Sequence, residues 1–294
     1  MPELPEVETI RRGLVEYLPG RVLADVEVRL PKLVKNVEIS AFSHILSGQH
    51  FTDVRRLGKI LILDFQTHSV LVRLGMTGQL TFRDPEKLDN NEFSISPLTG
   101  LQRAHGQFAP DKHTHIILYM QDNTSLCYRD IRQFGKWYLY KSEHLRESPE
   151  LNSLGPDPFS EEYTLASLAR NLKKTSRAVK IALLDQAVVA GLGNIYADEV
   201  LFASCIQPTR AAASLTDAEI EAVFVNIKQI LLSAIANRGT TFSDYRDANG
   251  EKGENVGNLK VYGRGGEKCL TCGTELLKGR IGGRSCVWCP QCQH

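Results

Sequence analysis

The sequence contains no stretch approaching the roughly 18 uninterrupted apolar residues of a membrane helix. Its opening, MPELPEVETIRRGL, lacks the apolar centre of a secretory leader. Net charge is nearly absent: 35 Lys and Arg stand against 34 Asp and Glu, leaving +1, so no molecule-wide field steers an anionic partner. There is no internal repeat and no low-complexity tract. Before the last 26 residues only Cys127 and Cys205 occur, and both read as buried apolar residues. A secreted disulfide scaffold would spread its cysteines through a shorter chain. With 42% hydrophobic and 23% charged residues, collagen, wholesale disorder and a membrane bundle are excluded. The expectation is a cytoplasmic globular protein of roughly two domains, with no membrane association.

What is present changes character along the chain. Leu4, Val7, Ile10, Leu14 and Leu18 recur at helical spacing, and Pro19-Gly20 ends the pattern. From about Arg21 to Tyr140 short β-rich runs follow: VLADVEVRL, KILILDF, SVLVRLGM, THIILYM, SLCYRDI and KWYLYK, predicting a β-sandwich or barrel over 1–142. Residues 82–112, polar and too long for a hairpin loop, read as a surface excursion. Residues 143–162, acidic and carrying Pro149, Pro156 and Pro158, read as a linker. Over 163–239 the period is helical, in TLASLARNL, VKIALLDQAVV, NIYADEVLFASC and DAEIEAVFVNIKQILLSAIANRG. The glycine-containing 240–257 reads as a flexible loop, and 258–294 as a terminal cysteine module. The fold class expected is thus α+β and multidomain.

Cys269-x2-Cys272, sixteen residues, then Cys289-x2-Cys292 fits four thiolates around one zinc ion. Four thiolates leave no open coordination position, so the metal is expected to be structural, with catalysis elsewhere. Cys286 offers a second register, but its thirteen-residue gap from Cys272 is short for that window. Positive charge is local: RNLKKTSRAVK (170–180) carries five basic residues and no acid, and 255–294 carries six basic residues against two acids. Such patches suit a nucleic-acid backbone, although solvated helix faces explain either one alone. Gly191-Leu192-Gly193-Asn194 reads as a phosphate-binding turn or as a tight interhelical turn.

At the amino terminus, a small residue at position 2 permits removal of Met1 and exposes a proline secondary amine beside Glu3. An α-amino group is about 10–15% neutral at pH 7, against about 0.04% for an ordinary lysine, which makes it the better nucleophile.

Taken together, MPELPEVETIRRGL, RRLGKILIL, RLGMTGQL, KHTHI, RDIRQFG, VAGLGNIYADEVLF, VYGRGGEKC and GRSCVWCPQCQ resemble, in order and over essentially the whole chain, the bacterial formamidopyrimidine-DNA glycosylases. Leu4, where endonuclease VIII typically has glycine, favours this branch. The resemblance implies an N-terminal helix plus β-sandwich, a helix-two-turns-helix domain and a zinc-finger hairpin. It implies removal of oxidised purines (8-oxoguanine, formamidopyrimidines) from double-stranded DNA and cleavage of the abasic site by β,δ-elimination, performed by a monomer. It makes Pro2 the Schiff-base nucleophile, Glu3 an acid and Lys59 a second proton-transfer residue. Met76, Arg132 and Phe134 become the side chains that fill the space of the extruded base. His113, Arg177, Lys180 and Asn194 become DNA contacts, and Arg284 grips the phosphates flanking the lesion and assists elimination. Arg264 is a further phosphate candidate. The resemblance makes 240–257 a flexible lesion-capping loop and 258–294 the zinc finger that follows it.

The chain departs from the compact family pattern at 82–112, at Ile131 where proline is frequent, and at Cys286. Two other readings fit parts of the sequence. A non-catalytic zinc-ribbon protein accounts for the tail and patches without needing Pro2, and a glycosylase restricted to oxidised pyrimidines keeps Pro2 but changes base choice.

Overall fold

A computed structural model describes residues 2–85 and 111–294. The core of the 82–112 excursion, residues 86–110, lies outside the described residues. Phe82 and Arg83 belong to a strand. Two units are defined: one of Met1–Pro2, Glu6–Ser148 and Thr240–Gly253, the other of Glu3–Pro5, Pro149–Gly239 and Glu254–His294.

The helical period at the amino terminus forms α1 (Leu4–Tyr17). It is followed by β1 (Leu23–Val28), α2 (Ile39–Leu46), β2 (Phe51–Leu57), β3 (Ile60–Phe65), β4 (His68–Arg73), β5 (Gly78–Arg83), β6 (Thr114–Met120), β7 (Ser125–Asp130) and β8 (Lys136–Lys141). The strands form two four-stranded antiparallel sheets ordered β1-β6-β7-β5 and β2-β3-β4-β8. Val7, Ile10, Leu14 and Leu18 of the first helical stripe share one core with residues of both sheets, including Val54, Leu63, Val72, Leu118 and Trp137. Leu80 and Phe82 of β5 and Leu126 and Tyr128 of β7, each pair two residues apart as a strand's period requires, join the same core.

Residues 240–253 belong to this same unit and carry no helix or strand. Thr240 N donates to Glu6 Oε1 at 2.8 Å and the Tyr245 hydroxyl to the Glu6 carbonyl at 3.3 Å. Tyr245, Arg246, Asp247 and Ala248 are all buried.

The second unit carries the short α3 (Pro149–Asn152), α4 (Leu165–Lys173), α5 (Val179–Leu184), α6 (Asn194–Ala203) and α7 (Asp217–Ala236), then the antiparallel hairpin β9 (Leu277–Ile281) and β10 (Arg284–Trp288). The helix starts are chemically specified. Thr164 with Ser167, and Thr216 with Glu219, form reciprocal capping boxes that satisfy the first free N–H groups of α4 and α7. Ile220, Val223, Ile227, Leu231 and Ala234 then give α7 its buried stripe. α5 stops at Leu184, short of the expected VKIALLDQAVV, because Gln186 turns the chain by bonding the Leu184 and Leu192 carbonyls and the Gly191 N–H. The expected 143–162 linker contains α3 and most of a six-residue 3-10 helix at Ser142–Glu147, and the boundary between the units falls at Ser148 and Pro149.

One ion cluster in the first unit yields a pH prediction. Burial alone would raise the Glu8 carboxyl, but hydrogen bonds from Arg11, Arg12 and Arg56 outweigh it and hold the group down to about 2. A carboxyl depressed on folding stabilises fully above its unfolded value near 4.3 and loses that stabilisation as pH falls toward the folded value. Glu8→Gln is therefore expected to lower Tm at pH 7, with the difference from wild type shrinking toward pH about 2.5. Thermal unfolding at both pH values checks this, and an equal difference at both would assign the loss to packing.

Candidate active site and DNA-contact residues

Glu3 is the best-defined of the proposed catalytic groups. It is 3% exposed, and its carboxylate accepts the N–H groups of Gly193 (2.7 Å), Ile195 (2.9 Å) and Tyr196 (3.4 Å), the open amino end of α6. An α-helix leaves its first N–H groups without intrahelical partners, and a carboxylate there also meets the positive end of the helix dipole. Gly193 is required by close approach: a Cβ on it would lie 2.3 Å from Glu3 Cδ. Leu4 N donates to the Gly191 carbonyl at 3.0 Å, fixing the neighbouring residue too. The Gly191–Asn194 turn is thus engaged by the chain's own carboxylate, in keeping with the tight interhelical turn that was one of its two readings.

Pro2 is buried, and it precedes Glu3 directly in sequence. Lys59 occupies the turn between β2 and β3 next to Gly58, half-buried, and so stands just before the apolar strand on which it was expected.

Met76, Arg132 and Phe134 come together as the motifs suggest. Met76 is 40% and Phe134 54% exposed, which removes the ordinary explanation of these side chains as core. Arg132 lies with its guanidinium carbon 4.9 Å from the Phe134 ring centroid, and its Nη1 donates to Met76 Sδ at 3.1 Å. Sequence reading missed what carries them. Asp130, fully buried, accepts from Thr77 Oγ1 (2.5 Å), Gly135 N (2.8 Å) and the Tyr128 hydroxyl (3.1 Å), while Thr77 Oγ1 accepts Arg132 N at 2.9 Å. Asp130 was visible inside RDIRQFG, but its partners lie up to 53 residues away. His113, half-buried, has its pKa lowered, first by burial and then by Arg129, which favours the neutral ring at pH 7.

In the second unit Arg177 is exposed and bonds Thr175 Oγ1 and Asp185. Asn194 Nδ2 donates to Ser285 Oγ at 2.9 Å. Arg284 opens β10 and is exposed. Arg264 folds back onto Glu267 and the carbonyls of Lys260 and Lys268. Lys180 departs from expectation: its side chain is fully buried and pairs with Asp198 at 2.6 Å, so it offers no exposed ammonium to a phosphate. Two further residues escaped notice. Glu199, buried, accepts the N–H groups of Lys260, Val261 and Tyr262 at 2.8–2.9 Å. Tyr262 itself, half-buried, sits beside Asn194 with its phenol pKa raised mainly by burial.

The sulfur atoms of Cys269, Cys272, Cys289 and Cys292 all lie within 4.8 Å of one another. A tetrahedral ion with bonds of about 2.3 Å to sulfur sets its ligands roughly 3.8 Å apart. The Cys272–Cys289 and Cys269–Cys292 separations of 3.4 and 4.0 Å bracket that value. Cys286 faces away: its thiol donates to Asp198 Oδ1 at 3.3 Å, and burial pushes it up to about 12. The geometry therefore selects the sixteen-residue register.

The described residues thus hold a buried carboxylate on the open amino end of α6, an exposed cluster of aromatic, thioether and guanidinium side chains, and four cysteines whose sulfur atoms could hold a metal ion. Residues 1–137 match the Formamidopyrimidine-DNA glycosylase N-terminal domain and residues 154–246 the Formamidopyrimidine-DNA glycosylase H2TH domain. A formamidopyrimidine-DNA glycosylase of Listeria monocytogenes is 40% identical over 293 residues, covering 100% of both chains. A Lactococcus lactis FPG mutant in complex with a Fapy-dG containing DNA is similar with a TM-score of 0.86 and 30% identity over 100% of each chain. A MutM structure in complex with carbocyclic 8-oxo-G containing DNA gives 0.85 and 30%, again over 100% of each. The chain belongs to the formamidopyrimidine-DNA glycosylase family. No helix among the described residues is long and apolar enough to cross a membrane.

The metal register is directly testable by elemental analysis of purified protein. Cys286→Ser is expected to keep one metal ion per chain, and Cys289→Ser to lose it. Metal retained in the second and lost from the first would reverse the assignment.

Proposed function

We propose that this chain excises oxidised purines, 8-oxoguanine and formamidopyrimidines, from double-stranded DNA and cleaves the resulting abasic site through a Schiff base on Pro2. The observation that carries this reading is the seat of Glu3, one residue from the amine, locked on the α6 amino end in a chain of this family. The lesion DNAs bound by its structural relatives support the substrate class.

The chemistry follows from the residues. With Met1 removed, the Pro2 nitrogen is a secondary amine that attacks C1′ as the damaged base leaves with a proton. Opening of the sugar places a proton on O4′, for which Glu3 is the positioned acid, and leaves an iminium joining Pro2 to C1′. The iminium draws electrons and acidifies the C2′ hydrogen. Its removal expels the 3′ phosphate by β-elimination, and a second proton loss expels the 5′ phosphate by δ-elimination. Lys59 relays protons in these steps, and Arg284 stabilises the departing phosphate. Met76 and Phe134 occupy the emptied stack while Arg132 bonds the partner base. His113, Arg177 and Asn194 contact phosphates, which fix register without reading sequence. Cys269, Cys272, Cys289 and Cys292 would hold one zinc ion, whose contribution is to fold the hairpin that carries Arg284. The enzyme acts as a monomer on chromosomal DNA in the cytoplasm.

Borohydride reduction tests the nucleophile. The expected adduct with lesion-containing duplex maps to Pro2 in a peptide lacking Met1, and an amino-terminal extension abolishes it while metal content stays unchanged. An extended protein that still traps at the normal rate, with the adduct on Lys59, would make lysine the nucleophile.

A further inference from the structure

Cys286 and Lys180, both singled out in the sequence, hold places in the structure that the proposed chemistry does not use. They meet at one buried carboxylate. Asp198 on α6 accepts the Lys180 ammonium at 2.6 Å, the Cys286 thiol at 3.3 Å and the Val287 N–H at 3.1 Å. The Lys180 ammonium donates in addition to the Ser285 carbonyl. With Asn194 Nδ2 on Ser285 Oγ, three consecutive residues of β10 are bonded to α5 and α6. All these groups belong to the second unit.

We infer that Lys180, Asp198 and Cys286 form a buried bracket that fixes β10 against α5 and α6, making Lys180 a positioning residue for Arg284 and not a phosphate ligand. The inference rests on Arg284 and Asn194 contacting DNA as proposed above. Both side chains of the pair are 0% exposed, so neither charge is solvated and each depends on the other. Arg284 is the residue immediately before the three that are held, and the turn that precedes it is seated on α5: a Cβ on Gly282 would lie 2.6 Å from Ile181 Cδ1. With the strand fixed after Arg284 and the turn packed before it, only the arginine side chain itself retains freedom to reach a phosphate. The thiol in this arrangement is a small donor closing the third side of the carboxylate.

The test separates positioning from contact by removing both members of the pair. Breaking a buried ion pair leaves one charge uncompensated, whereas replacing both partners with neutral groups of similar volume is far less damaging. Asp198→Asn keeps an acceptor for the Val287 N–H, and Lys180→Met keeps the length of the stem. Full-length protein with its metal is titrated with a duplex containing a tetrahydrofuran abasic analogue over a range of salt concentrations. Each single variant is expected to bind about tenfold more weakly and the double variant to return to within about threefold of wild type. The slope of log K against log salt is expected to be unchanged in the double variant.

If Lys180 instead reaches a phosphate, the double variant stays as weak as Lys180→Met and the slope falls by about 0.9, the loss of one phosphate contact, which overturns the inference. Should the single variants fail to fold, the double variant decides alone: affinity within about threefold of wild type supports the bracket, and weaker binding overturns it. Thermal unfolding without DNA reads the bracket independently of the proposed activity. Tm is expected to fall in each single variant and recover in the double, even if the wild-type protein were to show no affinity for the duplex. No recovery of Tm overturns the bracket.

Discussion

A single carboxylate at the amino end of α6 carries the geometry on which the proposed chemistry depends. Glu3 satisfies the N–H groups of Gly193, Ile195 and Tyr196, which the helix cannot bond internally and which have no side-chain cap at Gly193. Hydrogen bonds to a charged acceptor contribute about 1.5–3 kcal/mol each, enough to hold a chain terminus that would otherwise fray. The residue bearing the proposed nucleophile is the one before it.

The same device recurs at three other buried acids. Asp130 gathers Thr77, Tyr128 and Gly135 beneath the loop that presents Arg132 and Phe134. Glu199 gathers three successive N–H groups at Lys260, Val261 and Tyr262, at the entrance to the cysteine module. Asp198, next to Glu199 on α6, holds β10. In each case a buried acid satisfies backbone donors that a loop or a strand edge leaves unpaired, since a buried polar group without a partner costs about 1–3 kcal/mol. The first turns of α6 thus receive Glu3 and supply Asp198 and Glu199.

Much of this was legible in the sequence where the signal is local. The stripe Val7, Ile10, Leu14 and Leu18 announces its helix, and the two CxxC pairs converge as their spacing requires. β2 was not read because only Phe51 and Val54 along it are buried, and Arg56 instead reaches Glu8. α2, eight residues long, is too short for its period to stand out. Residues 240–257 looked like a loop by composition, yet Thr240 and Tyr245 owe their order to Glu6, more than two hundred residues earlier. Lys180 read as one of five cations in a basic run, and only the fold brings Asp198 to it. The motifs of the family identified its chemistry, whereas the acids that position that chemistry act through contacts distant in sequence.

The central claim is that the seat of Glu3 governs catalysis, and Gly193→Ala tests it without altering any proposed reacting group. The new methyl would enter the space of the Glu3 carboxyl, 2.3 Å from its carbon. Single-turnover excision of 8-oxoguanine from duplex DNA is expected to fall about a hundredfold, the scale of loss that follows a displacement of about 1 Å at a reacting group, while metal content and affinity for the duplex stay near wild type. Excision at the wild-type rate in a folded Gly193→Ala protein would contradict the claim and leave Glu3 as a helix cap alone.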